Sequence, residues 1–131
     1  LLNAGEPMVV VMRYRASKRI EHPMFGLAFY RSDGFHVSGP NNILSGFDIP
    51  FIGGEGEVRY TIDVLPLLEG TYRLTAAIHD SAGMHTYDHH DLLYTFRVRR
   101  GSIAERYGAI YVPARWEHIP ACQNTGEGAD G

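Results

Sequence analysis

Apolar and polar residues alternate in short runs along this chain, and glycine, proline and aspartate punctuate the runs. The clearest run follows Leu65-Pro66-Leu67-Leu68-Glu69-Gly70. From there Tyr72, Leu74, Ala76 and Ile78 fall on one side, and Arg73, Thr75, Ala77 and His79 on the other. Period-two alternation after a turn residue predicts a half-buried antiparallel strand over 72–79.

The same reading extends along the chain. Residues 8–14 are dense in valine and predict a buried strand after Gly5-Glu6-Pro7. Residues 24–31 predict a second, since Pro23 favours an extended approach. Ser32-Asp33-Gly34 is a hairpin turn that returns through 35–38. Residues 39–55, rich in Gly, Pro and Asn, read as a long loop with a short edge segment near 47–51. Over 57–64, Val58, Tyr60, Ile62 and Val64 are expected inward, with Arg59, Thr61 and Asp63 outward. A polar loop is expected over 80–90, a strand over 92–99, and a last strand over 109–113 leading into Trp116. Residues 102–107 have room for one helical turn, and no segment of twelve shows helical periodicity. Seven or eight short strands separated by turns define an all-β fold, an antiparallel sandwich. Tyr72, two residues past Gly70 and just inside its strand, matches the tyrosine corner of immunoglobulin-like sandwiches. Residues 1–119 are expected to form the sandwich, and 120–131, which lack core-forming residues, a disordered tail.

Composition narrows the functions. The chain has 131 residues, enough for one core and too few for two ordinary domains. A formal net charge of −3 leaves no basic surplus for phosphate backbones, so nucleic acid is not an expected partner. The one lysine, Lys18, stands outside any glycine-rich loop, which excludes a G-x-x-x-x-G-K-[ST] phosphate cradle. Cys122 is the only cysteine, so no intrachain disulfide can form, and a reducing compartment fits best. No apolar run reaches the ~18 residues needed to span a bilayer. A start at Leu1, with no methionine or signal features, suggests a piece of a longer protein.

Three constellations have candidate chemistry. His79, Asp80, His85, Asp88, His89, His90 and Asp91 bring imidazoles and carboxylates to one stretch, the donor types a divalent metal needs. The offsets are not those of a four-ligand structural site, and a loop between strands is polar anyway, so no metal or other cofactor is expected. A pH-sensitive latch from the same residues is a further reading. Asp80, Asp88 and Asp91 offer carboxylates for hydrolysis, but nothing sets two of them across a cleft, and no serine lies in a nucleophile elbow. The outward face of the sheet holding 24–31, 35–38, 72–79 and 92–99 is the place to look for binding. Strand parity puts Ala28, Tyr30, Arg73, Thr75, Ala77, His79, Thr95 and Arg97 there. Small floor residues flanked by Tyr, His and Arg suit sugars, whose C–H faces meet aromatic rings and whose hydroxyls meet polar groups. An ordinary solvated sheet face reads equally well from the residues alone. Trp116, the only tryptophan, is a packing residue at a subunit seam or a stacking platform for a sugar ring.

Taken in order, several segments resemble the Wzt C-terminal family, the C-terminal domain of the ATP-binding subunit of O-antigen polysaccharide ABC transporters. They are Gly5-Glu6-Pro7, Pro23-Met24-Phe25-Gly26, Arg31-Ser32-Asp33-Gly34, the 65–72 run, Phe96-Arg97-Val98 and Gly108-Ala109-Ile110-Tyr111-Val112-Pro113 with Trp116. The resemblance implies a non-catalytic domain that binds lipid-linked O-antigen glycan for export, so no enzyme activity is expected. It implies a homodimer that exchanges its C-terminal strand, an upstream nucleotide-binding domain, a membrane permease partner, and a cytoplasmic location at the inner membrane. It favours sugar for the outward face, making Tyr30, Arg73, Thr75, His79, Thr95, Arg97 and Trp116 the expected carbohydrate-binding residues. The alternative is a structural sandwich that serves only dimerisation or docking.

Overall fold

The computed structural model describes residues 1–121. Seven strands follow in chain order: β1 (Leu2–Asn3), β2 (Met8–Glu21), β3 (Met24–Arg31), β4 (His36–Ser38), β5 (Phe51–Ile62), β6 (Gly70–His79) and β7 (Thr86–Arg99). They form a five-stranded sheet in the order β1-β7-β6-β3-β4 and a two-stranded sheet of β2 and β5. Every pair is antiparallel except β1 and β7, where Leu2 lies beside Val98 in parallel register. This is the expected all-β, immunoglobulin-like sandwich, and the four strands expected to share a sheet, β3, β4, β6 and β7, do so, with β1 added at the edge.

The core lies between the sheets. Leu27 and Phe29 of β3, Tyr72 and Leu74 of β6 and Val98 of β7 point inward, joined by Ala4, Met8, Leu65 and Leu67. Phe29 meets Phe96 edge-on at 6.2 Å and Tyr60 at 6.3 Å across the layers, while Tyr72 stacks on Phe96 at 5.6 Å. Such rings dominate core burial and fix its geometry. The Gly5-Glu6-Pro7 motif owes its place to backbone pairing: Gly5 donates to the Leu65 carbonyl at 2.8 Å, and Leu65 donates to Glu6 at 2.9 Å. Gly5 has φ +85°, a conformation that favours glycine. At the hairpin, Asp33 accepts from the Phe35 amide at 3.1 Å and from Arg31 Nη2 at 2.8 Å. The Arg31 guanidinium therefore holds the Asp33 carboxyl below its ordinary pKa.

Several boundaries differ from the sequence reading. β2 continues past Tyr14 to Glu21, and β5 begins at Phe51 inside the expected 39–55 loop. The two extend each other: Tyr14, Arg15 and Ala16 pair with Gly56, Glu55 and Gly54, and a bulge before Ile20 absorbs the mismatch. Glycines hid this ribbon, because they lack strand propensity yet have partners across the sheet. At Gly56 the absent side chain leaves space that Tyr14 fills; a Cβ there would come within 2.3 Å of the phenol oxygen. β7 likewise starts at Thr86, so the polar loop shrinks to 80–85. Val64 lies beyond β5 and is about half exposed rather than inward. The described residues contain no helix, so 102–107 makes no helical turn.

The expected last strand is reduced to a single antiparallel bridge between Ile110 and Leu67. Leu68 donates to the Ala109 carbonyl at 3.0 Å, and Tyr111 donates to that of Pro66. Pro113 cannot extend the ladder, having no N–H. Exchange of this segment with a second copy is not shown, since here it docks on its own chain. Of the expected tail, residues 122–131, with Cys122, lie outside the described residues.

Candidate carbohydrate groove

The outward face of β3, β6 and β7 is not a flat solvated surface. Register sets Ala28 beside Thr75, and Gly26 beside Ala77 and then His89. These small residues make the floor of a shallow groove of about 300 Å³. Thr75 and Ala77 are each only 8% exposed although they face outward, so walls must rise on both sides.

The first wall is the loop through Gly39, Pro40 and Asn41. It runs along the β3 edge, with Leu27 donating to the Pro40 carbonyl at 2.9 Å and Asn41 bridging to Gly26. Asn42 pins it: Oδ1 accepts from the Phe25 amide at 2.7 Å, and Nδ2 donates to the Pro23 and Phe47 carbonyls. The first contact satisfies an edge amide of β3, and the other two tie the loop to the residue before β3 and to its own backbone. At one end Tyr30 lines the groove, its ring stacked on His36 with centroids 4.7 Å apart.

The second wall comes from a break in β7. Leu74 pairs with Tyr94 and Ala76 with His90, so residues 91–93 stand opposite Thr75 alone. Leu92 takes φ +49°, a left-handed conformation rare for a branched side chain. Two side chains hold it there. Thr75 Oγ1 accepts from the Leu92 amide at 2.8 Å, and Arg73 Nη2 donates to the Leu92 carbonyl at 2.8 Å. The bulge re-aims the strand and brings His89 and Asp91 to the groove rim. Thr75 Oγ1 also donates to Asp91 Oδ1 at 3.3 Å. His89 Nε2 lies 3.8 Å from the same oxygen, and His79 Nδ1 meets Thr86 Oγ1 at 3.0 Å.

Of the seven residues expected to bind, Tyr30, Thr75 and His79 line this groove. Arg73 and Thr95 face each other just beyond it, and Arg97 is a step further along, beside Thr71. Arg73 and Thr75 act visibly as clamps on Leu92. Trp116 is fully exposed, packed against no core edge of this chain. The expected seam or sugar contact at Trp116 is therefore not made within the single chain. Sequence reading placed His89, Asp91, Pro40 and Asn41 in loops and assigned them no sugar contact. For His89 the run Thr86-Tyr87-Asp88-His89-His90 has no apolar alternation to mark a strand, and for Asn41 nothing in the sequence locates the loop over β3.

A second cleft, about 370 Å³, opens between the sheets and is lined by Val10, Met12, Ala76, Ile78 and Phe96. At its rim His90 joins Tyr94 Oη at 2.6 Å to Asp88 at 3.3 Å. Its walls combine aliphatic side chains with Arg13, Asp88, His90, Tyr94 and Thr95, the last of which is one of the expected sugar-binding residues. No group of three or more His, Cys, Asp or Glu is placed to hold a metal ion among the described residues. No described helix is long and apolar enough to cross a membrane.

Two facing sheets with a shallow groove on the outer face of the larger one define a β-sandwich domain. Residues 1–112 match the Wzt C-terminal domain family, and the chain belongs to it. The crystal structure of the C-terminal domain of Wzt superposes with a TM-score of 0.77 at 15% identity, covering 90% of this chain and 73% of that one. At that identity the likeness speaks for the fold alone. No curated protein matches the chain. The family is one of binding rather than catalytic domains, and membership is consistent with a carbohydrate-binding role in an ABC transporter.

Proposed function

We propose that this domain binds the O-antigen glycan, in its lipid-linked form, and presents it for export without chemically altering it. The observation that carries this reading is the groove itself. It has a floor of Ala28, Thr75 and Ala77, flanked by Tyr30 and by polar His79, His89 and Asp91. A sugar ring can lie on small residues, cover its C–H face with the tyrosine, and exchange hydroxyl hydrogen bonds with the rim. A shallow site of this size holds only one or two sugar units, which implies weak binding per site. Two copies acting on one glycan would raise the effective affinity. The domain then belongs, as a homodimer, to a transporter with an upstream nucleotide-binding domain and a membrane permease at the cytoplasmic face of the inner membrane. Calorimetric titration with polysaccharide from the source organism and from a non-native serotype tests the reading. Saturable binding of the native glycan, weakened by Tyr30→Ala, supports it; no binding of either glycan overturns it.

A second reading, a sandwich that only dimerises or docks, is favoured by one observation. Tyr107, Val112, Trp116 and Ile119 are all largely exposed along the C-terminal stretch. Apolar side chains clustered in sequence and left in water mark an association surface. The readings are separable, because Tyr30→Ala alters glycan binding and leaves association intact.

A further inference from the structure

We propose that Asp91 is the specificity-determining residue of the groove, accepting a pair of hydroxyls from a neutral sugar and excluding anionic sugars from that position. This rests on the glycan reading above and adds the class of sugar that the groove selects.

The argument starts from how Asp91 is held. A regular β7 would put one residue opposite Thr75, but the bulge puts residues 91–93 there. The left-handed Leu92 is unfavourable on its own, and the Thr75 and Arg73 hydrogen bonds keep it in place. Local strain held by flanking side chains is the usual mark of a positioned functional group. What the bulge positions is the Asp91 carboxylate. Its side chain is 73% exposed, and Thr75 supplies one hydrogen bond from the floor. A carboxylate has about four lone-pair sites, so most remain open for a ligand.

The electrostatics give the selectivity. Asp91 is the one carboxylate lining the groove, and no lysine or arginine lines it. The nearest arginine on the floor strand, Arg73, is turned to the Leu92 carbonyl. Hydroxyls on adjacent ring carbons can donate to both oxygens of one carboxylate, in charge-assisted bonds stronger than neutral ones. A sugar carboxylate or phosphate at the same position meets repulsion with no lysine or arginine in the lining to offset it, which is discrimination by an unfavourable contact.

The test uses one glycan in two forms: polysaccharide from the source organism, and the same material with primary hydroxyls oxidised to carboxylates. Wild-type domain should bind the untreated form and bind the oxidised form about tenfold more weakly or worse, since each added carboxylate that enters the groove faces Asp91 with no lysine or arginine lining it. Asp91→Asn keeps the shape and removes the charge. It should lose about tenfold toward the untreated form and bind both forms nearly alike, with an unchanged urea midpoint showing that the bulge survives. Equal wild-type affinity for the two forms, or an Asp91→Asn variant that still discriminates, overturns the inference and leaves the glycan reading standing. Failure of the wild-type domain to bind either form overturns both.

Discussion

Tyr72 Oη donates a 2.6 Å hydrogen bond to the Leu68 carbonyl, four residues upstream, at a site where the ring is only 1% exposed. Burial pushes the phenol pKa above its ordinary value, as desolvation of the charged form requires. The bond closes the turn through Gly70 and fixes where β6 enters the sheet. Tyr72→Phe keeps the packing but strands the Leu68 carbonyl. It should cost about 0.5–1.5 kcal/mol, more to the extent that the carbonyl finds no water. Urea unfolding reads this directly, and an unchanged midpoint would show that the corner contributes nothing.

Thr75→Val should be worse than its size suggests. Isosteric valine removes both the acceptor of the Leu92 amide and the donor to Asp91. Thr75 is 8% exposed, so the amide has little water to turn to. A loss of about 1–3 kcal/mol is expected. Thr75→Ser, which keeps the hydroxyl, should recover most of it. Amide exchange at Leu92 should rise sharply in the valine variant alone; matching rates in both would rule out the clamp.

Most of the frame was legible because it rests on period-two patterns. Tyr72, Leu74, Phe29 and Val98 each sit where alternation and turn residues put them. The groove was half legible. Parity placed Tyr30, Thr75 and His79 on the face where the groove lies. It failed where the backbone departs from regularity. The β7 bulge inserts residues 91–93 opposite Thr75, and no composition rule marks a left-handed leucine. Non-local placement was also out of reach, since Asn42 caps the β3 edge from a loop seventeen residues on. The glycine-rich half of the β2–β5 ribbon read as loop because pairing, not propensity, makes it a strand.

Acid should loosen the 80–85 turn. The Asp80 carboxylate is held below its ordinary value of 3.8 chiefly by the backbone amide of His85, then by those of Met84 and Gly83. A depressed folded-state pKa gives stability that is complete above the unfolded value and lost as pH falls through the folded one. The turn should therefore loosen below about pH 3.8 and not on the alkaline side. Asp80→Asn should flatten that acid limb. An unchanged pH profile of the urea midpoint in the variant would exclude Asp80 as its source.

Removal of everything after Gly101 should unmask Leu67 and Leu68, which the Ala109–Tyr111 backbone now pairs along one edge. An unpaired edge beside apolar residues invites association. The shortened protein should unfold at lower urea, and it should scatter light as monomer or as aggregate. A well-folded dimer would mean that another surface holds the copies together.

Trp116 reports on the same question in the intact chain. It is the only tryptophan, so its emission is unmixed, and in one copy its side chain is fully exposed. Val112 and Ile119 on either side are 66% and 78% exposed, which leaves an apolar stretch without cover. The Ile110 bridge is short, so a second copy's segment could replace it at similar cost, since exchange of identical elements preserves each contact. Under exchange, the tryptophan of each copy moves to the surface of the other. Emission should then shift to shorter wavelength as concentration rises and dimers form, in step with the mass seen by light scattering. Trp116→Ala should weaken the dimer without disturbing Tyr30-dependent glycan binding. Emission typical of water at every concentration, with a monomer's mass throughout, would dispose of the dimer; a dimer whose tryptophan stays in water would place the seam elsewhere.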